Sequence, residues 1–128
     1  MLTVNPEIVC NLIDRAREFH AKEGVIIPEE TTDSSGNLAA DVLAEHQGDP
    51  TFQEFRNTIN DLEPDQQVSI VALMWIGRGD FEADEWDAAY RQAAEERTRH
   101  TAEYLIATPL VADYLEEGLA AFGYSCEE

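Results

Sequence analysis

The stretch from Val68 to Ile76 limits most strongly what this chain can fold into, because it contains a single polar residue, Ser69. Pro64 lies shortly before it, and the segment Gly77-Arg78-Gly79-Asp80 follows it. Proline favours the first position of a helix, and glycine favours helix ends. A helix without a polar face has to be surrounded by other parts of the protein. We therefore predict a central buried helix at about residues 64–77.

Helix signals recur through the rest of the chain, and no stretch shows the strict alternation of a strand. Asn5-Pro6, Asp49-Pro50 and Thr108-Pro109 each combine a side chain that caps helices with a proline. Apolar residues at helical spacing follow each pair. A chain of 128 residues has the size of one domain. The sequence thus predicts a single compact all-α domain over residues 1–128, with roughly five to seven helices and both tryptophans largely buried.

The segment Gly77-Arg78-Gly79-Asp80 is interpreted as the connection between two helices. One glycine is expected to take the left-handed conformation that ends a helix. Asp80 is expected to cap the next helix, which carries Trp86. Arg78 follows the buried helix directly, so its guanidinium can reach the last carbonyls of that helix or a carboxylate nearby. From this position we predict that Arg78 is structural.

The part of the chain between residues 25 and 48 differs in composition from the segments around it. Residues 25–37 begin with a short apolar piece and then become polar, with proline, serine and glycine. This composition predicts a loop, mobile at about residues 28–37. Asn37 is a suitable cap for a short helix that runs through His46.

The charge of the chain narrows the classes of partner. The chain has 27 acidic and 8 basic residues, a formal net charge of −19, and its acids are spread from Glu7 to Glu128. Nucleic acids and anionic membrane surfaces repel such a chain, so we predict neither as a direct partner. The acidity also raises the hypothesis that the protein mimics the phosphates of DNA. Solubility or adaptation to salt explains the same charge without any particular geometry.

The cysteines and the N-terminal segment bear on the compartment. Cys10 lies in an apolar helical pattern and Cys126 lies near the C-terminus, and neither has another cysteine close by at metal-binding or redox spacing. This usage predicts reduced, inert thiols and a cytoplasmic protein. The N-terminal segment lacks the basic start and long apolar run of a signal peptide, and no apolar run has the length of a membrane span.

A weak metal-binding pattern lies in the segment EERTRHTAEY. If one helix continued through it, Glu96, His100 and Glu103 would share one side, at spacings of four and three residues. The Glu-x-x-His pair of di-iron proteins is absent from this segment, and carboxylates with a histidine on an acidic helix are more often solvated. The sequence therefore predicts no metal and no cofactor, with these three residues as weak candidates.

Three groups of residues carry a resemblance to a known family. They are Asn5-Pro6 with AREF at Ala16–Phe19, then VALMWIGRGDFEADEW at Val71–Trp86, and HTAEYLIATPLVADYLEEGL at His100–Leu119. In these segments the chain resembles domain-of-unknown-function family 3775, a small bacterial family of uncharacterised proteins. The resemblance covers the chain except about residues 25–48. It implies a bacterial, cytosolic protein and does not imply an activity.

The resemblance also directs attention to polar residues of the matching segments as a candidate ligand or partner site. These residues are Arg78, Asp80, His100, Thr101, Tyr104 and Asp113. The buried helix leads into the arginine turn, and a later helix carries His100 and Tyr104, so the fold can bring these side chains into one cleft. Structural support of helix ends explains the same residues more simply, and we prefer that interpretation.

No arrangement of residues in the sequence has the geometry of a catalytic site. We therefore expect a protein-interaction or structural module rather than an enzyme. Its partner is expected to be another protein, and association with further copies of the chain is left open. An enzyme that binds a small molecule or a metal with the Arg78/Asp80/His100/Tyr104 region is the second hypothesis. A DNA mimic that inhibits a DNA-binding protein is the third.

Overall fold

The computed structural model describes residues 4–22, 43 and 48–126. The helices are α1 (Pro6–His20), α2 (Pro50–Asp61), α3 (Pro64–Arg78), α4 (Trp86–Glu96), α5 (Thr101–Ala107) and α6 (Val111–Ala121), with a 3-10 turn at Ala83–Glu85 before α4. These described residues contain no strand, which confirms the all-α prediction. None of their helices has both the length and the apolar composition needed to cross a membrane. The predicted loop at 28–37 and helix at 37–46 lie outside the described residues, apart from the buried Leu43.

Side-chain caps begin α1 and α2 where the sequence predicts them. Asn5 caps α1 by accepting a backbone N–H of its first turn. The Asp49 carboxylate accepts the N–H groups of Thr51 and Phe52 at 2.8 and 3.1 Å. It also binds Lys22 Nζ at 2.9 Å, which ties the start of α2 to the end of α1. Burial acts to raise the pKa of Asp49, but these hydrogen bonds and the Lys22 charge hold it below its ordinary value.

The start of α6 differs from the prediction. The pair Thr108-Pro109 predicts a helix start, but α6 begins at Val111. The Thr108 hydroxyl donates to the carbonyl of Tyr104 at 2.8 Å, so it bonds back to α5 instead of capping α6. Leu110 then takes a left-handed conformation, with φ of 67°, and turns the chain into α6. The predicted helix start is therefore two residues too early.

The helix α3 is the centre of the fold, as the sequence predicts. Every residue from Gln67 to Ile76 is buried, and Trp75 and Trp86 are 3% and 8% exposed. Gly79 ends the helix in the left-handed conformation, with φ of 97°. Its N–H and that of Asp80 both bond to the carbonyl of Trp75. The buried helix, its glycine end and the two buried tryptophans are all confirmed.

The other helices are arranged around α3. The helix α3 packs mainly on α6 and on α4, and α6 packs on α1. From there α1 packs on α2, and α2 packs on α5, which also contacts α3 and α6. Every residue of α5 is buried, although the sequence predicts a buried helix only for α3. A second buried helix therefore lies next to the end of α3.

Two glycines make the contact between α3 and α6. A Cβ atom at Gly77 would overlap the carbonyl of Tyr114 in α6. A Cβ atom at Gly118 would lie 2.5 Å from the carbonyl oxygen of Leu73 in α3. Each glycine therefore lets the backbones of the two helices touch directly. Because the paired positions are one helical turn apart on each helix, the close contact extends along both.

Cys10 and Cys126 form a disulfide, so the predicted free and inert thiols are wrong. Cys10 lies on α1 and Cys126 in the tail after α6, with 5.6 Å between their Cα atoms and a sequence separation of 116. Sequence spacing misses the pair because only the packing of α6 on α1 brings the two segments together. Cysteine usage therefore does not place this protein in a reducing compartment.

We expect Gly118→Ala and Gly77→Ala to lower the free energy of unfolding by about 1–3 kcal/mol or more, because each added methyl meets backbone that cannot rotate away. Urea unfolding measures the change. Gly48→Ala is the matched control, since nothing lies within 4 Å of a Cβ atom at Gly48. Equal stability of Gly118→Ala and Gly48→Ala would show that α3 and α6 are not packed as described.

Reduction of the Cys10–Cys126 disulfide is expected to lower the free energy of unfolding by about 2–4 kcal/mol, because the cross-link restricts the unfolded chain over a long loop. Urea unfolding with and without a phosphine reductant measures the difference. A variant with Ser at both positions should match the reduced parent and should not respond to the reductant. A parent protein that unfolds identically with and without reductant would rule out the disulfide.

Candidate functional site

An open cleft of about 390 Å³ lies beside the C-terminal end of α3. The helix α3, the glycine turn after it, α4 and α5 each contribute side chains to it. The lining consists of Trp75, Arg78, Asp80, Phe81, Gln92, Glu96 and Tyr104. Three of these residues, Arg78, Asp80 and Tyr104, belong to the candidate site predicted from the sequence. The fold therefore brings half of that predicted set together.

Two buried aromatic residues form the floor of the cleft. The indole N–H of Trp75 donates to the hydroxyl of Tyr104 at 2.9 Å, and both side chains are almost fully buried. Phe81 is partly exposed and stacks on Trp75, with 6.1 Å between ring centroids and 21° between ring planes. Since the buried N–H and hydroxyl satisfy each other, this bond holds α5 against α3 at the base of the cleft.

Arg78 and Asp80 form one wall of the cleft as an ion pair within the glycine turn. Nε and Nη2 of Arg78 both donate to Oδ2 of Asp80, at 2.9 and 2.6 Å. The two side chains are 28% and 44% exposed. Burial acts to lower the pKa of Arg78, but the bond to Asp80 and the electrostatic interactions with Tyr104 and Asp80 raise it. The guanidinium therefore stays charged, and the prediction that Arg78 reaches a nearby carboxylate is confirmed.

Asp80 does not cap the helix that carries Trp86, so that prediction is wrong. Its carboxylate is bonded to Arg78 instead. Glu82 begins the 3-10 turn, and its N–H donates to Oε1 of Glu85 at 2.7 Å in a capping box. The helix α4 continues from this turn without a side-chain cap of its own. The inserted turn places Asp80 too far along the chain from α4 to cap it.

The opposite wall of the cleft belongs to α4. Gln92 donates through Nε2 to Oε2 of Glu96 at 3.1 Å. Arg97, directly after α4, donates to Oε1 of Gln67 at 3.1 and 3.3 Å.

A narrow cavity of about 10 Å³ adjoins the cleft and shares part of its lining. It has room for no more than about one water molecule, so the space for a ligand is in the cleft itself.

The three weak metal candidates are not brought together. The helix α4 ends at Glu96, and Arg97 has an extended backbone with ψ of 135°, so no continuous helix carries all three side chains. Nδ1 of His100 lies 3.9 Å from Oε1 of Glu103, whereas Glu96 lines the cleft. Within residues 4–22, 43 and 48–126, no group of three His, Cys, Asp or Glu side chains is arranged to hold a metal ion. The condition on which the pattern depended, one helix through this segment, is therefore not met.

The other residues of the predicted site do not line the cleft. The backbone N–H of His100 donates to Oγ1 of Thr98 at 3.1 Å, just before α5. Thr101 is buried, lines the narrow cavity and donates to the carbonyl of Thr98 at 3.1 Å. Asp113 binds Arg17 at 2.9 Å, where α6 packs on α1. These contacts hold helix ends and neighbouring helices together.

Sequence reasoning did not predict the remaining lining residues as ligand or partner contacts. They are Trp75, Phe81, Gln92 and Glu96. Of these, only Glu96 is a candidate in the sequence analysis, as a weak candidate for binding a metal. Trp75 is assigned to the core by its apolar neighbours, and Gln92 belongs to no motif. Phe81 offers a signal, because an aromatic residue directly after a glycine turn is close to the surface.

The segment that builds the cleft also shows the family relationship. Residues 52–124 match the family described as Protein of unknown function (DUF3775). The chain belongs to this family. The match spans more than half of the chain and includes every residue that lines the cleft, whereas Cys10 and Cys126 lie outside it. No curated protein and no solved structure matches the chain.

In this DUF3775 protein, we expect Tyr104→Phe to be more destabilising than Arg78→Ala. The Tyr104 change leaves the buried N–H of Trp75 without its partner, which costs about 1–3 kcal/mol. The Arg78 change removes a partly exposed ion pair, worth about 0.2–1 kcal/mol. Chemical denaturation measures both, and Asp80→Ala should cost no more than Arg78→Ala, because Arg78 interacts with Tyr104 as well as with Asp80. A larger loss for Arg78→Ala than for Tyr104→Phe would contradict this assignment.

Proposed function

We propose that this protein is a small acidic interaction module that holds a segment of a partner protein in the cleft between α3, α4 and α5. The observation that carries the proposal is one open cleft in which the partly exposed side chains of Arg78 and Phe81 lie beside a rigid base formed by the buried Trp75 and Tyr104. Arginine and aromatic side chains are enriched at protein interfaces. The Trp75–Tyr104 bond and the Arg78–Asp80 pair already fix these side chains. Binding therefore costs little additional side-chain entropy.

The polar groups of the cleft support binding rather than catalysis. Arg78 is bonded to Asp80, and Gln92 is bonded to Glu96. A serine, cysteine or threonine nucleophile requires a base within hydrogen-bond distance to activate it, and the lining contains none of these three residue types and no histidine. The acid and amide side chains of the cleft instead offer fixed hydrogen-bonding groups to a bound segment.

A small molecule is the second candidate occupant, and the cleft volume favours it. The volume of about 390 Å³ falls within the range of about 300–1,000 Å³ that is typical of small-molecule sites. Such sites usually bury most of the surface of the ligand. An open cleft beside a surface turn suits one or two side chains of a longer segment better, because the rest of the segment can lie outside it.

The proposed setting is the bacterial cytoplasm, with another protein as partner. The family resemblance supports this setting, and the net charge of −19 disfavours direct contact with nucleic acid or anionic membranes. The Cys10–Cys126 disulfide weighs against the cytoplasm, because stable disulfides are uncommon there. The interaction proposal itself does not depend on the compartment, since neither cysteine lines the cleft.

Site-specific photo-crosslinking tests the proposal in the cells of a bacterium that carries a DUF3775 protein. A photoreactive phenylalanine analogue at Gln92 is expected to trap one protein by proximity to the cleft, because Gln92 lies in its wall. The trapped protein is identified by mass spectrometry and is then expected to bind the purified chain. Native mass spectrometry of the purified protein detects a small molecule, if that is the occupant.

Asn57 is the matched control position for this experiment. It is exposed and lines a second open cleft of about 370 Å³ between α1 and α2, which is similar in size but has no aromatic residue in its lining. Trapping from position 92 and not from position 57 supports the proposal. Equal trapping from both positions, or none from position 92, would contradict it.

A further inference from the structure

The charges of the cleft point to the chemistry of its occupant. The lining contains one cation, Arg78, and two anions, Asp80 and Glu96, so it has one more negative than positive charge. The two hydrogen bonds from Arg78 to Asp80 go to the same carboxylate oxygen, Oδ2. A carboxylate has about four positions at which it can accept a hydrogen bond. The second oxygen, Oδ1, is therefore available to another donor while the Arg78 pair stays intact.

An aromatic ring lies beside these carboxylates. Phe81 is partly exposed and is held in place by stacking on Trp75. The face of an aromatic ring attracts a cation, and a planar guanidinium can stack on the ring and donate to carboxylates at its edge. The combination of Phe81, Asp80 and Glu96 in one cleft thus matches an arginine side chain better than an anion or an apolar side chain.

The net charge of the whole chain also favours a cationic ligand. With 27 acidic and 8 basic residues, the protein attracts basic segments and repels acidic ones at a distance. Arg78 does not reverse this preference locally, because Asp80 neutralises it at 2.6 Å. An anionic ligand would have to displace Asp80 from Arg78, whereas a cationic ligand can bind Oδ1 of Asp80 while that pair stays intact.

We infer that the cleft receives an arginine side chain from a basic segment of the partner, stacked on Phe81 and hydrogen-bonded to Asp80 and Glu96. This inference rests on the proposed function and specifies the partner of the same cleft. The guanidinium lies inside the cleft, and the flanking residues of the segment lie outside it. Lysine can satisfy the charge but not the planar stacking, so it binds more weakly.

The two tryptophan indole N–H signals make the test internally controlled. Trp75 forms the floor of the cleft, whereas Trp86 packs on Phe122 with ring centroids 5.4 Å apart and is not part of the lining. A glycine-serine peptide with one central arginine is titrated into the ¹⁵N-labelled protein. The indole signal of Trp75 is expected to shift saturably while that of Trp86 stays in place. The same peptide with citrulline, which is neutral and nearly identical in shape, is expected to leave both unshifted.

Charge-matched variants separate this site from the general acidity of the chain. Glu96→Gln is expected to weaken binding of the arginine peptide by about two- to fivefold, the effect of one partly exposed ion pair. Glu54→Gln removes the same charge in the second cleft and is expected to leave the affinity unchanged. Added salt should weaken binding to the parent protein through screening.

The other possible results of these titrations would each contradict a specific part of the inference. If the citrulline peptide shifts Trp75 as much as the arginine peptide does, or if a glutamate peptide shifts it more, the cleft does not select a guanidinium. If Glu54→Gln weakens binding as much as Glu96→Gln, the attraction is general and the inference fails. Trapping of a partner from position 92 without any response to the arginine peptide would overturn the inference and leave the proposed function standing. A response to the arginine peptide without trapping of a partner from position 92 would retain the cation site and overturn the proposed interaction module.

Discussion

The direct backbone contact between α3 and α6 is the constraint on which the rest of the structure depends. Gly77 and Gly118 allow it, because a side chain at either position would meet the backbone of the other helix. The contact holds the C-terminal end of α3 in one place relative to α6. Arg78 is the next residue after Gly77, so the chain leaves the core at a fixed point. The position of the cleft therefore follows from where the two helices can approach each other.

The break between α4 and α5 places the other half of the cleft. The extended backbone of Arg97 ends α4 and lets the following residues turn inward. The helix α5 is then buried along its whole length, and Tyr104 meets the indole of Trp75. The wall of α4, with Glu96 at its end, remains at the surface beside this floor. A polar rim over a rigid aromatic base results from one interruption in the helical chain.

The sequence predicted only part of the candidate site, and the physical reason is different for each residue. Arg78 and Asp80 are close in sequence, so their pairing depends on a local turn that the glycines make recognisable. Tyr104 entered through the family resemblance, which selects residues without saying where they lie. The same resemblance selected Asp113, which binds Arg17 on a different helix pair. Phe81 stacks on the nearby Trp75 of α3, whereas Glu96 joins the lining only because the fold brings α4 beside α3 and α5.

The sequence by itself determined the helical class, the starts of α1, α2 and α3, the burial of α3 and the strongly acidic charge. These properties depend on capping residues, prolines and apolar spacing within a few turns of chain, and such patterns are readable locally. Only the tertiary structure decided the buried position of α5, the shape of the cleft and the disulfide between Cys10 and Cys126. Each of these requires segments far apart in the chain to meet. Their meeting is set by how closely the helix backbones can pack, which no local pattern specifies.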